Sequence, residues 1–212
     1  MTLGRRATVS KGNNPHDEKS KNVSMPRNNL YLVGFMGTGK TTIGRELAKA
    51  MGRKFLDTDH VLEKRFGKSI NDIFAEDGEA VFREAEQALS LELAETENKV
   101  IGTGGGTIMD PVSLEAFERS GLLLRLYTRQ TNLIGRLKRT SKRPLLAGET
   151  EEEVEAKIKK LLAEREEVYG KINLRLETTD LTPLIAAKKV HEFLRSRPEL
   201  FTETLNTRIE LR

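Results

Sequence analysis

The sequence predicts an α/β fold, a parallel β-sheet covered by helices on both faces. Short apolar runs alternate with helix-period segments along most of the chain, and that alternation argues for strands joined through helical crossovers. The first unit is the most specific. Leu30-Tyr31-Leu32-Val33 runs into Gly34-Phe35-Met36-Gly37-Thr38-Gly39-Lys40-Thr41, and the helical pattern Ile43, Leu47, Ala48 and Met51 follows, closed by Gly52. A G-x-x-x-x-G-K-T segment between strand and helix lets successive backbone N–H groups converge on a phosphate. The helix N-terminus adds its partial positive charge. In that setting Lys40 reaches β- and γ-phosphates and the Thr41 hydroxyl meets Mg²⁺, so a nucleoside triphosphate is the expected ligand.

The elements follow in order. Residues 30–34 form the first strand and 39–51 its helix. Lys54-Phe55-Leu56 is a short strand ending in Asp57-Thr58-Asp59. Helical segments fill about 60–97, with Ser69 and Asp72 spaced as a cap before Ile70, Ile73 and Phe74. Lys99-Val100-Ile101 enters Gly102-Thr103-Gly104-Gly105-Gly106, and a helix starts near Pro111. Residues 122–127 are the clearest buried strand, and a helix over about 130–138 leads to a basic, proline-containing loop at 139–148. The acidic run 149–155 opens a long helix to about Tyr169, its carboxylates placed to complement the helix dipole. A last strand at 174–177, a last helix at 183–194 and a polar, loosely attached extension at 196–212 complete the chain.

At 212 residues the length suits one domain, here residues 29–195. The 32% charged content suits long exposed helices. Of 36 basic and 32 acidic side chains, six and two lie in residues 1–28, leaving 30 of each elsewhere. The net charge of +4 therefore belongs to the tail 1–28, a Ser-, Asn- and Lys-rich segment read as disordered. Either a short targeting segment or a start displaced from Met25 accounts for it. The neutral body gives no reason to expect nucleic acid. No run has the length of a membrane span, and the N-terminus lacks the apolar stretch of a secretory signal. With no cysteine, and three histidines without ligand spacing, neither disulfides nor a His/Cys metal site is expected. A cytoplasmic monomer is the expectation.

Ligands of open α/β sheets sit beyond the carboxyl ends of the strands, where the glycine loop, Asp57/Asp59 and the triple glycine all fall. Alternate residues of an extended segment point apart, so one aspartate can serve the Mg²⁺ shell and the other a substrate hydroxyl. Asp59 also suits an N-cap before His60-Val61-Leu62-Glu63, but beside a phosphate loop the pair reads as functional. Val100-Ile101-Gly102-Thr103 carries no metal-binding acid, and three glycines stand there instead. Their entropic cost is explained if a ligand approaches the main chain closely, the alternative being a loose turn. Arg83, among glutamates, reads by itself as a solvated helix residue. Arg143, in a loop with Lys138, Arg139 and Lys142, suits a lid that closes over phosphates. Arg165 suits a bidentate grip on a carboxylate.

Taken together and in this order, residues 34–42, Asp57-Thr58-Asp59, Phe82-Arg83-x-x-Glu86, Gly104-Gly105-Gly106, Arg143-Pro144-Leu145-Leu146 and Arg165-x-x-x-Tyr169 resemble the shikimate kinases. The resemblance spans about 29–195. It implies a P-loop NTPase of the nucleoside-monophosphate-kinase-like kind: a three-layer sandwich with a five-stranded parallel sheet and a mobile lid. The implied reaction moves the γ-phosphoryl of ATP, with Mg²⁺, to the 3-hydroxyl of shikimate in aromatic amino acid biosynthesis. Gly37, Thr38, Gly39, Lys40, Thr41 and Thr42 would bind ATP, Arg136 would lie near the adenine, and Arg143 would close onto the phosphates. Thr41 would hold Mg²⁺, with Asp57 helping through water. Asp59 would bind ring hydroxyls and take the proton, so Lys40, Asp59 and Arg143 form the implied catalytic set. Arg83 and Arg165 would hold the shikimate carboxylate, oriented by Glu86, and Gly104, Gly105 and Gly106 would meet the substrate through their backbone. The resemblance thus reverses the solvated reading of Arg83.

The chain departs from the pattern in a more acidic run at 149–155, in a segment 178–183 whose only charge is Asp180, and in the tail. A gluconate kinase or other small-molecule kinase is the alternative, since gluconate is also a hydroxylated carboxylate. A nucleotide kinase would be expected to carry an acidic third strand. A regulatory DNA-binding module fits poorly with the neutral body.

Overall fold

The structure, a computed structural model, describes residues 28–138 and 150–211. The expectations for the tail 1–27 and for the basic loop, Arg139, Lys142 and Arg143 included, lie outside the described residues. The chain runs β1 (Asn29–Val33), α1 (Lys40–Met51), β2 (Lys54–Asp57), α2 (Thr58–Phe66), α3 (Ile70–Glu76), α4 (Glu79–Ala94), β3 (Lys99–Gly102), α5 (Pro111–Ser120), β4 (Gly121–Tyr127), α6 (Gln130–Lys138), α7 (Glu151–Tyr169), β5 (Leu174–Glu177), α8 (Pro183–Ser196) and β6 (Ile209–Leu211). All strands pair in parallel, in the order β2-β3-β1-β4-β5-β6.

Strand β1 is buried throughout, and its alternation distributes it between two cores. Tyr31 and Val33 join Leu62, Ile73, Phe82, Leu89, Phe117, Ile158 and Tyr169 on one face. Leu30 and Leu32 join Leu47, Leu124, Leu176, Val190 and Leu194 on the other. The Tyr31 and Phe117 rings stack with centroids 4.1 Å apart, fixing α5 against the centre of the sheet. No helix of the described residues is long and apolar enough to cross a membrane.

Local chemistry sets the helix boundaries. Ser69 caps α3, accepting from the Asp72 N–H at 3.2 Å while donating to its carboxylate at 2.6 Å. Pro111 opens α5 behind the cap Asp110. Thr150 and Glu153 form a reciprocal capping box at the start of α7. The helical segments expected at 60–97 are three helices, separated around Gly67 and Gly78, whose φ angles of 70° and 90° favour glycine. They also begin earlier, at Thr58, directly after β2.

The expected five-stranded sheet has a sixth strand, drawn from the segment read as a loosely attached extension. The 3₁₀ turn Pro198–Phe201 buries Leu200 and Phe201, and the Arg53 guanidinium lies 4.8 Å from the Phe201 ring centroid. The chain then returns so that Ile209 and Leu211 pair with Leu174 and Leu176. Three residues are too few for their alternation to stand out within a polar stretch, which is why this strand escaped the sequence pattern. Truncating Phe201 to Ala is expected to cost about 3–5 kcal/mol in urea unfolding. A loss below about 0.5 kcal/mol would return the segment to the status of a loose end.

Candidate active site

The sheet order reverses at β1: the chain leaves it for β2 on one side, while β4 lies on the other. That arrangement opens a crevice beyond the carboxyl ends of β1, β2 and β3. Strand β1 delivers the glycine loop there. Gly34 has φ 139°, and a Cβ on it would fall 2.2 Å from the Leu126 carbonyl oxygen of β4, so the loop leaves the sheet where only glycine fits.

In the phosphate half, the Lys40 ammonium donates to the carbonyls of Gly34 at 2.8 Å and Phe35 at 3.0 Å, across the mouth of the loop. Thr41 donates its hydroxyl to Asp57 Oδ2 at 2.7 Å, bringing the end of β2 onto the first turn of α1. A hydroxyl and a carboxylate are hard oxygen donors of the kind Mg²⁺ takes, with phosphates and water completing its shell. Among the described residues no three His, Cys, Asp or Glu gather as a metal cage. Thr38 is buried and donates to the Phe35 carbonyl at 2.8 Å, and Thr42 donates to that of Gly39 at 3.1 Å. Arg136 reaches from α6 to the Gly37 carbonyl at 3.3 Å and to that of Thr178 at 3.3 Å. The loop, α6 and the segment after β5 therefore border one space.

The acceptor half gathers on the triple glycine. A Cβ on Gly104 would stand 2.5 Å from Glu86 Oε1 and 2.9 Å from Asp59 Oδ1. One on Gly105 would stand 3.2 Å from the Met36 nitrogen of the phosphate loop and 3.6 Å from an Arg165 nitrogen. One on Gly106 would stand 3.1 Å from Arg83. Each glycine thus faces charged side chains, most tightly at Gly104, where a Cβ would come within 3 Å of two carboxylates. The Gly105 carbonyl accepts from Arg165 at 2.7 Å and from the Tyr169 hydroxyl at 2.6 Å, using both its lone pairs. The Arg165 guanidinium also lies 5.2 Å from the Phe35 ring centroid.

Arg83 is half-buried and paired rather than freely solvated. It donates to Glu86 at 2.7 Å and to Glu79 at 2.9 Å, and lies within 5.3 Å of the Phe82 and 5.8 Å of the Phe74 ring centroids. Burial pulls its pKa down, but the Glu86 and Glu79 carboxylates more than offset that, and the net shift is upward. Arg83, Glu86, Gly106 and Arg165 line a single cleft with Gln87 and Asp110. The cap reading of Asp59 is also replaced. Asp57 caps α2, accepting from the His60 N–H at 3.4 Å, and because the helix starts at Thr58 the two carboxylates diverge. Asp57 faces Thr41, and Asp59 faces Gly104.

The roles of three hydroxyls were not read from the sequence, although Thr58 and Tyr169 stand within its quoted motifs. Thr58 accepts from the Gly104 N–H at 2.9 Å, Tyr169 holds Gly105, and Thr107 donates to Glu86 at 2.6 Å. Thr58 lies between the two aspartates and Thr107 directly after the glycines, so adjacency was the only signal available.

A family model described as shikimate kinase matches residues 36–195. A shikimate kinase of Pelotomaculum thermopropionicum is 39% identical over 168 residues, 79% of this chain and 95% of the relative. That of Thermodesulfovibrio yellowstonii is 38% identical over 162 residues, 76% and 92% of the two chains. A solved structure described as shikimate kinase from Acinetobacter baumannii in complex with shikimate is similar with a TM-score of 0.76 and 36% identity, over 81% of this chain and 95% of that one.

Tyr169, 2% exposed, gives the site a pH signature. Burial pushes its phenol from the ordinary 10.0 up to about 12, against the opposing pull of Arg165 and Arg125. A raised folded-state pKa favours the folded protein fully below the unfolded value, and the contribution disappears as pH rises from about 10 to about 12. Two pKa units correspond to roughly 3 kcal/mol. Tyr169→Phe should therefore lose less stability than wild type between pH 10 and 12 when urea unfolding is followed. Parallel curves for the two proteins would show that this phenol does not titrate as a buried group.

Proposed function

The chain belongs to the shikimate kinase family, and from that premise we propose which of its residues carry the reaction. The enzyme uses ATP to phosphorylate the 3-hydroxyl of shikimate, giving shikimate 3-phosphate for aromatic amino acid (chorismate) biosynthesis. A gluconate kinase reading gives way to this one. The observation that supports the assignment of roles most directly is the meeting of Asp59, Glu86, Arg83 and Arg165 around three successive glycines. Two guanidinium groups suit the carboxylate of the acceptor, and a carboxylate beside them suits its hydroxyls.

Gly37, Thr38, Gly39, Lys40, Thr41 and Thr42 bind the phosphates of ATP. Lys40 turns from the Gly34 and Phe35 carbonyls to the β- and γ-phosphate oxygens, exchanging one set of acceptors for a charged one. Thr41 and Asp57 would hold Mg²⁺ at the mouth of the loop. When bound, the ion neutralises charge on the β- and γ-phosphates. Arg136, already on the Thr178 carbonyl, borders the adenine. Arg143, outside the described residues, is assigned to the phosphates on the family resemblance.

Arg165 and Arg83 grip the shikimate carboxylate, and the backbone of Gly104, Gly105 and Gly106 forms the floor beneath the ring. This places the 3-hydroxyl between Asp59 and the γ-phosphorus. The hydroxyl oxygen forms the new O–P bond as the bond from phosphorus to the β-γ bridging oxygen breaks, Asp59 takes the proton, and ADP leaves. Because phosphoryl transfer passes through a loose transition state, Asp59 contributes more by aligning the hydroxyl than by its basicity. The need for ATP supports a cytoplasmic location.

ATP consumption should be stimulated by shikimate and not by gluconate or nucleoside monophosphates. Absence of stimulation by shikimate would sink this reading. Arg83→Ala removes a charge-assisted pair worth about 1.5–3 kcal/mol, so the KM for shikimate should rise roughly 10- to 150-fold while ATP binding is retained. An equal fall in both affinities would show that Arg83 does not serve the acceptor.

A further inference from the structure

Thr107 follows the third glycine and opens the 3₁₀ turn Thr107–Met109. It is 1% exposed and has no role in the assignments above. Its hydroxyl oxygen is 2.6 Å from Glu86 Oε1 and 3.2 Å from the Gly104 carbonyl. A hydroxyl has one proton to give. The shorter, charged acceptor takes it, so the bond runs from Thr107 to the Glu86 carboxylate. The other carboxylate oxygen of Glu86 accepts from Arg83 at 2.7 Å. One buried carboxylate therefore has a donor on each oxygen, one on a rigid turn and one on a long side chain.

These two donors are not equivalent. Arg83 sits one helical turn before Glu86 on α4, and both side chains are flexible enough to move as a pair. Thr107 is β-branched and buried, so its χ1 and the direction of its hydroxyl are restricted. Glu86 also has a reason to move: Glu86 Oε1 and Asp59 Oδ1 face the same point beside Gly104, and like charges there repel. Without Thr107, an oxygen of a carboxylate that is 4% exposed would lose its hydrogen-bond donor, at a cost well above that of a surface bond.

We propose that Thr107 is a positioning residue for the acceptor. Through Glu86 it sets the angle at which the Arg83 guanidinium meets the carboxylate of the substrate, and so determines affinity for the acidic acceptor without touching it. This rests on the shikimate kinase reading. It adds to that reading a residue beyond the glycine motif, acting through two others.

Thr107→Val keeps the shape and removes the donor. With each substrate varied at saturating levels of the other, the KM for shikimate should rise about tenfold, the scale of one charge-assisted bond. The KM for ATP and kcat should stay within about twofold, and Thr107→Ser, which restores the hydroxyl, should return the wild-type KM. In an Arg83→Ala background, Thr107→Val should add nothing further to the KM for shikimate, because the group it orients is gone. Three results would each overturn the inference: an unchanged KM for shikimate in Thr107→Val, a rise that Thr107→Ser does not reverse, or the same rise persisting in Arg83→Ala. If Thr107→Val does not fold, Thr107→Ala is compared with Thr107→Ser under the same criteria. Wild-type protein without shikimate-dependent turnover would instead overturn the kinase reading itself, so that measurement comes first and separates the two failures.

Discussion

The site depends on one steric constraint, the passage of a backbone without side chains through a crowd of charges. Between β3 and α5 the chain must run past two carboxylates, two guanidinium groups and the first turn of the phosphate loop. Any Cβ at Gly104 would meet oxygens of Glu86, Asp59 and Thr107 within 3 Å. The entropy lost by ordering three glycines is offset by what their absence of side chains permits: charged groups on β2–α2, α4 and α7 converge on a single strand end. The Gly105 carbonyl then fastens α7 to the sheet through Arg165 and Tyr169. Residues proposed to bind substrate, far apart in sequence, are thereby set relative to the phosphate loop by one turn.

A second constraint is electrostatic. A site built to hold two anionic substrates collects positive charge, and unpaired charge in a half-buried crevice is costly. Here the cationic groups already have partners: Lys40 on loop carbonyls, Arg83 on Glu86 and Glu79, and Arg165 on Gly105. Asp57 is likewise engaged by Thr41. Substrate binding then becomes an exchange of partners, and geometry is in place before the ligand arrives. Such preorganisation suits phosphoryl transfer, where alignment and electrostatics contribute most of the catalysis.

Much of this was legible in the chain because it rests on short-range chemistry. The glycine loop, its flanking strand and helix, the cap at Ser69, and the parallel sheet all follow from spacing and residue type. Other features escaped for identifiable reasons. Strand β6 is three residues long and sits in a polar segment, so its pairing with β5 exists only once Asn173 and Ile209 are brought together. Asp59 suited a cap by sequence, yet α2 begins at Thr58 and gives that task to Asp57. Arg83 resembled any solvated helix arginine because its helix neighbours are glutamates, one of which, Glu86, faces inward.

By itself the sequence determined the class of the fold, the phosphate donor and, through the order of its motifs, the family. These are properties of contiguous segments, in which φ/ψ preference, periodicity and the chemistry of a loop act over a few residues. Only the tertiary structure decided which charges meet. It turned Asp57 to Thr41 and Asp59 to Gly104, set Thr107 on Glu86, and brought the last strand onto the sheet. Those pairings depend on how helices cross a sheet whose neighbours are not neighbours in sequence, a geometry set by packing both faces at once and written in no single segment.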